Sequence, residues 1–554
     1  MTGVRPFVIA MAGVLAVAPF VFLNGNFDPA NLPQSAWVQV CGLAFAAGAL
    51  GRADRLGRSP ADVPLALLIA WGAASVGWAT SRGDAIPVVL EWVACGAWFL
   101  AVSRSVTRTG EVRTLALALF ASGAAVAVIG LAQHFFGLMV FYQAFPPAAT
   151  FVNKNIATQY VAATLPLGLA VWAVGQRPTR AAWAPAAAIA GVVMLAFLGV
   201  ARTRSSFVAI AVEIVVVGWL MVPARRRLAT RAVLAAIAIG AIALAAALAV
   251  RPRAPSSPFT SVQARQAIWS NTVAMIADAP LHGVGVGNHA VHYPAYARRI
   301  AVDEILSANR QLDHVHNDPL QLAAETGLVG ISLAGWLALR GLRLWRVAAP
   351  HRGRSPLLLA WIACAAGLLA DSLFSFPMQR ALPPVVLAVG LGSMAALAGI
   401  QPGPGRVAAR ALAALAAAAT VVVAIHQWHA IAADRHVRKM IAAESRSFWP
   451  GVEEESTAAL VLAPRNPQAL FGLGTAELAR GRLPEARAAL RRLLAEHPHD
   501  LPALGNLALT QMAAHEDAAA LETWGRVLAI DPRDPRAQRG RAEVLARMAV
   551  GRTN

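Results

Sequence analysis

Residues 114–134 read TLALALFASGAAVAVIGLAQH, an apolar run closed by a single histidine. A helix needs about 20 such residues to cross a hydrocarbon core about 30 Å thick, so this stretch predicts a membrane span. Working outward, Arg104, Arg108 and Arg113 precede it, and 135–155 follows with Lys154 as its one basic residue. Comparable runs occupy 6–23, 36–50, 63–80, 85–102 and 156–174, then 183–200, 206–222, 232–250, 318–339, 355–374, 382–399 and 409–425. The expected fold is therefore all-α: a polytopic bundle of about 12–13 spans. Composition agrees, since 57% of the 554 residues are hydrophobic and 14% charged, with a mean hydropathy of +0.55. A net charge of +19 would suggest nucleic acid in a soluble chain, but here the arginines lie in short loops between spans, so no nucleic-acid partner is expected. Cys41, Cys95 and Cys364 sit in apolar runs without Cys-x-x-Cys spacing and read as buried thiols, not as a disulfide framework or a zinc site.

Cytoplasmic loops retain Lys and Arg, which orients the bundle. Arg52, Arg55 and Arg58 mark one such loop, followed on the same side by the Arg104, Arg177, Arg225, Arg340 and Arg406 clusters and by Arg5 at the start. The intervening loops, 24–35 and 135–155 among them, face outward, as does the long outer loop 251–317. Ala16-Val17-Ala18 resembles a cleavage site, yet an uncleaved signal anchor fits the alternation of arginines better. The expected location is a bacterial inner membrane, crossed many times.

From about Asp434 the apolar runs stop and Ala, Arg, Glu and Leu recur at helical spacing. Pro464, Pro498 and Pro532 lie 34 residues apart, and Ala469, Ala503 and Ala537 keep the same interval. That period is the helix-turn-helix period of tetratricopeptide repeats. Leu470 to Gly474 opens a first helix, 481–484 makes the turn and Glu485 to Leu494 forms a second. The expected domains are a membrane domain, 1–430, and a small helical repeat solenoid, 431–554. The repeats follow an outward-going span and are expected in the periplasm, docking a protein partner.

Several chemistries are excluded by what is missing. Lys154 and Lys439 are the only lysines and neither closes a P-loop; no Asp-x-Asp pair offers a metal-diphosphate clamp; the 283–287 Gly-Val-Gly-Val-Gly stretch opens no βαβ unit and reads as a tight backbone turn. No cofactor and no metal is expected. The segment from Asp313 to Gly330, with His314, His316, Asn317, Asp318, Gln321 and Glu325, is dense in polar groups at the mouth of a span, where an ionisable residue is a functional candidate. His316 can accept a proton near neutral pH; it can equally cap a helix at the interface. On that helix His316, Leu320, Ala323 and Gly327 share one face, which predicts close approach by a neighbouring helix.

His316-Asn317, nine residues, Gly327, two residues and Gly330 resemble the signature of the O-antigen ligase and polymerase superfamily of bacterial membrane glycan transferases. Thr203-Arg204-Ser205-Ser206 at an outer span end resembles that family's first arginine motif, and Arg265 to Trp269 with Pro280 and the glycine turn resembles the second. Asn153, in Phe151 to Asn155, is a further similar feature. The resemblance implies transfer of a glycan from an undecaprenyl-diphosphate carrier to an acceptor hydroxyl at the outer face. Arg204 and Arg265 would bind diphosphate as bidentate forks, His316 would activate the acceptor, and Asn317, Asp371 and Asn153 would contact substrate.

The bland alternatives are a snorkelling Arg204, a solvated Arg265 and an Asp371 that pairs structurally with nearby Arg380. Glu91 and Glu213 line a cavity or make helix-packing hydrogen bonds, and His289, His292 and His314 receive no role. The acceptor stays open among lipid, glycan and protein: a lipopolysaccharide ligase, a polymerase of O-antigen or exopolysaccharide, and a protein O-oligosaccharyltransferase share these motifs. A transporter or flippase, marked by inverted repeats and broken helices, and a non-catalytic scaffold presenting the repeats are the competing classes.

Overall fold

The computed structural model describes residues 4–172, 177–221, 261–297, 314–352, 356–401, 403 and 405–553. The expected span 232–250, the arginines from 225 to 231, and 251–260 and 298–313 of the outer loop lie outside the described residues. Among those described, helices are the only regular structure apart from three isolated bridges. The membrane part comprises α1 (Pro6–Val17), α2 (Asn31–Gly51), α3 (Asp62–Ser75), α4 (Arg82–Ser105), α5 (Thr109–Phe136), α6 (Lys154–Thr164), α7 (Arg177–Ala201) and α8 (Arg204–Met221). It continues with α9 (Ser261–Asp278), α10 (Asp318–Arg352), α11 (Pro356–Ser372), α12 (Leu382–Ala398) and α13 (Arg406–Glu444). Six helices among the described residues are long and apolar enough to cross a membrane, namely α4, α5, α7, α8, α10 and α13, and α1, α3, α11 and α12 are shorter apolar helices. The run at 156–174 is α6 followed by a 3-10 stretch, Leu165–Trp172, because Pro166 has no N–H to continue the α-helical ladder.

Small residues set the packing. α4 lies between α2 and α12, and the Trp98 indole is buried against Gly42, where an added Cβ would fall 2.8 Å from the ring. Its Nε1 donates to the Val38 carbonyl at 2.9 Å. α8 and α11 touch through Gly367, whose missing side chain leaves space for the buried Glu213 carboxyl. Without water to drive helices together, such close approach is what lets dispersion hold a membrane bundle.

The arginine-rich loops meet at one end of the bundle. Arg58 exchanges backbone hydrogen bonds with Gln401 at 2.9 and 3.1 Å, Arg55 bridges to Gly405, Arg104 pairs with Asp62 at 2.5 Å and Arg5 with Glu111 at 2.6 Å. The arginine-poor loops gather at the other: Gln34 donates to the Thr150 carbonyl at 3.3 Å, Thr203 to Asn155 at 3.4 Å and Gln159 to Ser375 at 2.6 Å.

α13 has 39 residues, about 58 Å of helix, roughly twice a hydrocarbon core. It passes 430 without a break and delivers Val437 and Met440 into the core of the repeats. The repeats follow as α14 (Trp449–Leu462), α15 (Pro467–Ala479), α16 (Leu483–Glu496), α17 (Leu501–Ala513), α18 (Asp517–Ile530) and α19 (Pro535–Thr553). Their 34-residue register has a local cause. The side chains of Asn466, Asp500 and Asp534 cap three successive helices, accepting from the N–H groups of the buried Ala469, Ala503 and Ala537 at 2.9, 2.8 and 2.7 Å. Arg492 and Arg526, one period apart, donate to the carbonyls of Pro464 and Pro498.

Candidate active site

The site begins where residues 314–317 lead into α10. His316 takes a left-handed φ of 58°, which redirects the chain, and the Asn317 side chain accepts from the Leu320 N–H at 2.9 Å to cap the helix. Asn317 also donates to the Leu373 carbonyl at 3.1 Å, and Asp318 accepts from the Met378 N–H at 2.9 Å. These two bonds clasp the turn between α11 and α12 and bring Phe376 under the histidines. His314 stacks on the Phe376 ring at 4.6 Å, His316 meets it edge-on at 4.9 Å, and the Arg380 guanidinium lies 4.9 Å from its centroid. Arg380 Nη2 is 3.2 Å from His314 Nε2.

Arg265, on α9, stands at the electrostatic centre. Burial and then the neighbouring Arg204 pull its pKa down, while Asp371 raises it. Burial, followed by the charges of Arg265 and Arg380, pushes the His316 imidazole down to about 4. It is therefore neutral at physiological pH and has a lone pair to accept a proton. The buried Asp371 carboxyl, at the C-terminal end of α11, faces Ser205 and Arg265. Four residues expected from the sequence, Arg204, Arg265, His316 and Asp371, thus come together from α8, α9, the approach to α10, and α11.

A backbone clamp holds this constellation. Gly327 interrupts α10 with φ 67° and ψ −167°, and the 280–287 segment docks on the break. Val284 and Gly285 N–H groups donate to the Ala324 and Glu325 carbonyls at 3.0 and 2.9 Å; Leu328 and Val329 N–H groups donate to the Pro280 and Leu281 carbonyls at 2.8 and 3.3 Å. The Glu325 carboxylate accepts from the Gly287 N–H at 2.9 Å and from Gln321 at 3.0 Å, and Gln321 accepts from the Val315 N–H at 3.2 Å. Gly283, Gly285 and Gly287 all have positive φ, as a tight backbone turn requires. At Gly327 the close neighbour of α10 is this loop, because a broken helix exposes carbonyls that a loop can satisfy, while α3 also packs along α10, its Trp71 donating to the Thr326 carbonyl at 2.9 Å.

Two other expected residues have local duties. Asn153 caps α6, its side chain accepting from the Asn155 N–H at 2.9 Å, and Asn317 caps α10. Phe376 and Arg380 were not singled out as site residues by sequence reading. They sit in an unpatterned turn some 60 positions beyond His316, and only their nearness to Asp371 in sequence gave a signal. Glu325 was read as part of the polar segment, but its place as the anchor of the glycine turn had no local signature.

Residues 189–335 match the family model described as O-antigen ligase, and residues 477–544 match that of a tetratricopeptide repeat. No curated protein matches the chain. The first match contains Arg204, Arg265 and His316, and ends within α10 just beyond Gly327 and Gly330.

Proposed function

Because this multi-pass membrane protein carries an O-antigen ligase domain ahead of tetratricopeptide repeats, we propose that it transfers a glycan from an undecaprenyl-diphosphate carrier to an acceptor hydroxyl at the periplasmic face of a bacterial inner membrane. The observation that carries the reading is Arg265, which is buried, feels the charges of Arg204 and Asp371, and whose own charge acts on His316. Arg204 and Arg265 bind the diphosphate oxygens. The acceptor oxygen attacks the anomeric carbon, the bond from that carbon to the phosphate oxygen breaks, and the lipid diphosphate leaves with the electron pair. His316 takes the acceptor's proton and returns it to water. The leaving group is already activated, so the protein's main task is to neutralise its developing charge with positioned guanidinium groups.

Bringing the diphosphate in also tunes the base. Burial and then the charges of Arg265 and Arg380 depress the His316 imidazole, and a bound dianion offsets the charges, raising its basicity when the acceptor must be deprotonated. Asn317 and Asp318 fix where His316 stands by tying it to the Phe376 turn. The repeats share the end of the bundle that holds the site, which fits a domain that receives an acceptor or a partner protein.

The test is alanine substitution of Arg204, Arg265 and His316 singly in full-length protein, with transfer followed in membranes. Loss by roughly 100-fold or more in each, at normal protein level, is expected for groups acting on charge or proton in the transition state. Retained transfer in all three rejects the reading.

A further inference from the structure

We propose that Glu496, a residue of the repeat domain, is a positioning residue for the membrane site, holding the 81–84 loop so that the glycine turn and His316 keep their places; this rests on the transferase reading above. Glu496 is the last residue of α16. One carboxylate oxygen accepts from the Ser81 hydroxyl at 3.2 Å and from the Gly83 N–H at 3.1 Å, while the other pairs with Arg465 at 3.2 Å. His497 adds a contact at 3.6 Å to Asp84. The loop so gripped is the N-terminus of α4, where Ser81 caps the helix.

From Ser81 the bonding runs straight to the site. The Ser81 N–H donates to Asn288 Oδ1 at 2.7 Å, and the Asn288 amide donates back to the Ser81 carbonyl at 2.9 Å and to Val286 at 3.0 Å. Asn288 is fully buried, so these bonds have no water to replace them. Gly287, next in sequence, donates to Glu325; Glu325 accepts from Gln321; Gln321 accepts from the Val315 N–H, one residue before His316. Packing follows the same route, with Ala79 against Gly285, Asp84 against Gly287 and Trp78 against His282 at 5.7 Å. Hydrogen bonds, joined by the peptide bond between Gly287 and Asn288, therefore link a repeat carboxylate to the segment that bears the proposed base. Such contiguity is a route for coupling, and coupling itself is what an experiment must show.

In full-length protein, consumption of an undecaprenyl-diphosphate-linked oligosaccharide is measured for wild type, Glu496→Ala, Glu496→Gln and Glu516→Ala, with amide hydrogen exchange at Gly287 and Val315. Glu516 pairs with Arg487 inside the repeats at 2.6 Å and so reports loosening of the repeats alone. Glu496→Ala should lower kcat roughly fivefold or more with donor KM little changed, and speed exchange at both amides, since misplacement of a reacting group acts on the chemical step. Glu496→Gln, which keeps an acceptor for Ser81 and Gly83, and Glu516→Ala should both stay near wild type. Wild-type kcat and exchange in Glu496→Ala, or an equal fall in Glu516→Ala, overturns the proposal. If wild type consumes no donor, the transferase reading fails by itself, and the exchange data still decide for or against Glu496 as the anchor.

Discussion

Replacing Gly327 with alanine should lift the 280–287 segment off α10. The residue's φ of 67° and ψ of −167° fall in a region reached almost only by glycine, at a cost of about 1–3 kcal/mol for any other residue. An added Cβ would also stand 2.2 Å from the Leu281 carbonyl oxygen and 2.5 Å from the His282 nitrogen, both backbone atoms that cannot rotate away. Four backbone bonds and the Gly287 to Glu325 bond cross this junction, each worth about 1 kcal/mol net. Some return if α10 straightens and recovers its own ladder, so a local loss of about 2–4 kcal/mol is expected. At about 1.4 kcal/mol per factor of ten, exchange of the Val284 and Gly285 amides should quicken roughly 30- to 700-fold, with transfer falling alongside. Gly335→Ala is the comparison: on the same helix an added Cβ there meets nothing within 4 Å, so exchange and transfer should stay as in wild type. Unchanged exchange and transfer in Gly327→Ala would refute the clamp.

The acid limb of kcat/KM should lie near the His316 value of about 4, activity falling as pH drops through it because the base becomes protonated; the limb of kcat should lie higher, once bound diphosphate offsets Arg265 and Arg380. Identical limbs in a pH–rate study would argue against His316 facing the diphosphate. Asn153→Asp preserves the acceptor that caps α6 and should keep stability, whereas Asn153→Ala should cost about 1 kcal/mol in thermal unfolding. If Asn153→Asp is stable but loses transfer, Asn153 contacts substrate through its amide. Single cysteines at Gln143 and at Arg539, in a chain freed of its native thiols, should both react with an impermeant maleimide from outside intact cells, and one at Arg58 should not. Opposite labelling at Gln143 and Arg539 would separate the repeats from the site.

The bundle and the repeats were legible because their signals are periodic. The Pro464, Pro498 and Pro532 register marks three capped helix starts, and the arginine alternation sorted the loops into the two ends that the Arg58–Gln401 and Gln159–Ser375 contacts define. Arg204, Arg265 and His316, the proposed trio, were suggested only by motif likeness, since nothing local to any of them requires the others. What the sequence hid depends on chain geometry. Gly327 looks like a small helix residue until its dihedrals are known, and Phe376, Arg380 and Glu496 gain their roles from distant partners that no spacing encodes. The uninterrupted α13 was hidden by its own composition, since its apolar first half and its mixed second half read as separate domains.

The most direct measurement separates binding from chemistry in the proposed trio. Purified full-length protein in proteoliposomes is titrated with an undecaprenyl-diphosphate-linked oligosaccharide, and single-turnover transfer is followed for wild type, Arg265→Ala and His316→Ala. Arg265→Ala should weaken donor affinity, by roughly tenfold or more for a lost charge-assisted contact, whereas His316→Ala should bind donor as wild type does and transfer at least about 100-fold more slowly. Wild-type transfer by His316→Ala, or undiminished donor binding together with full transfer by Arg265→Ala, would contradict the account.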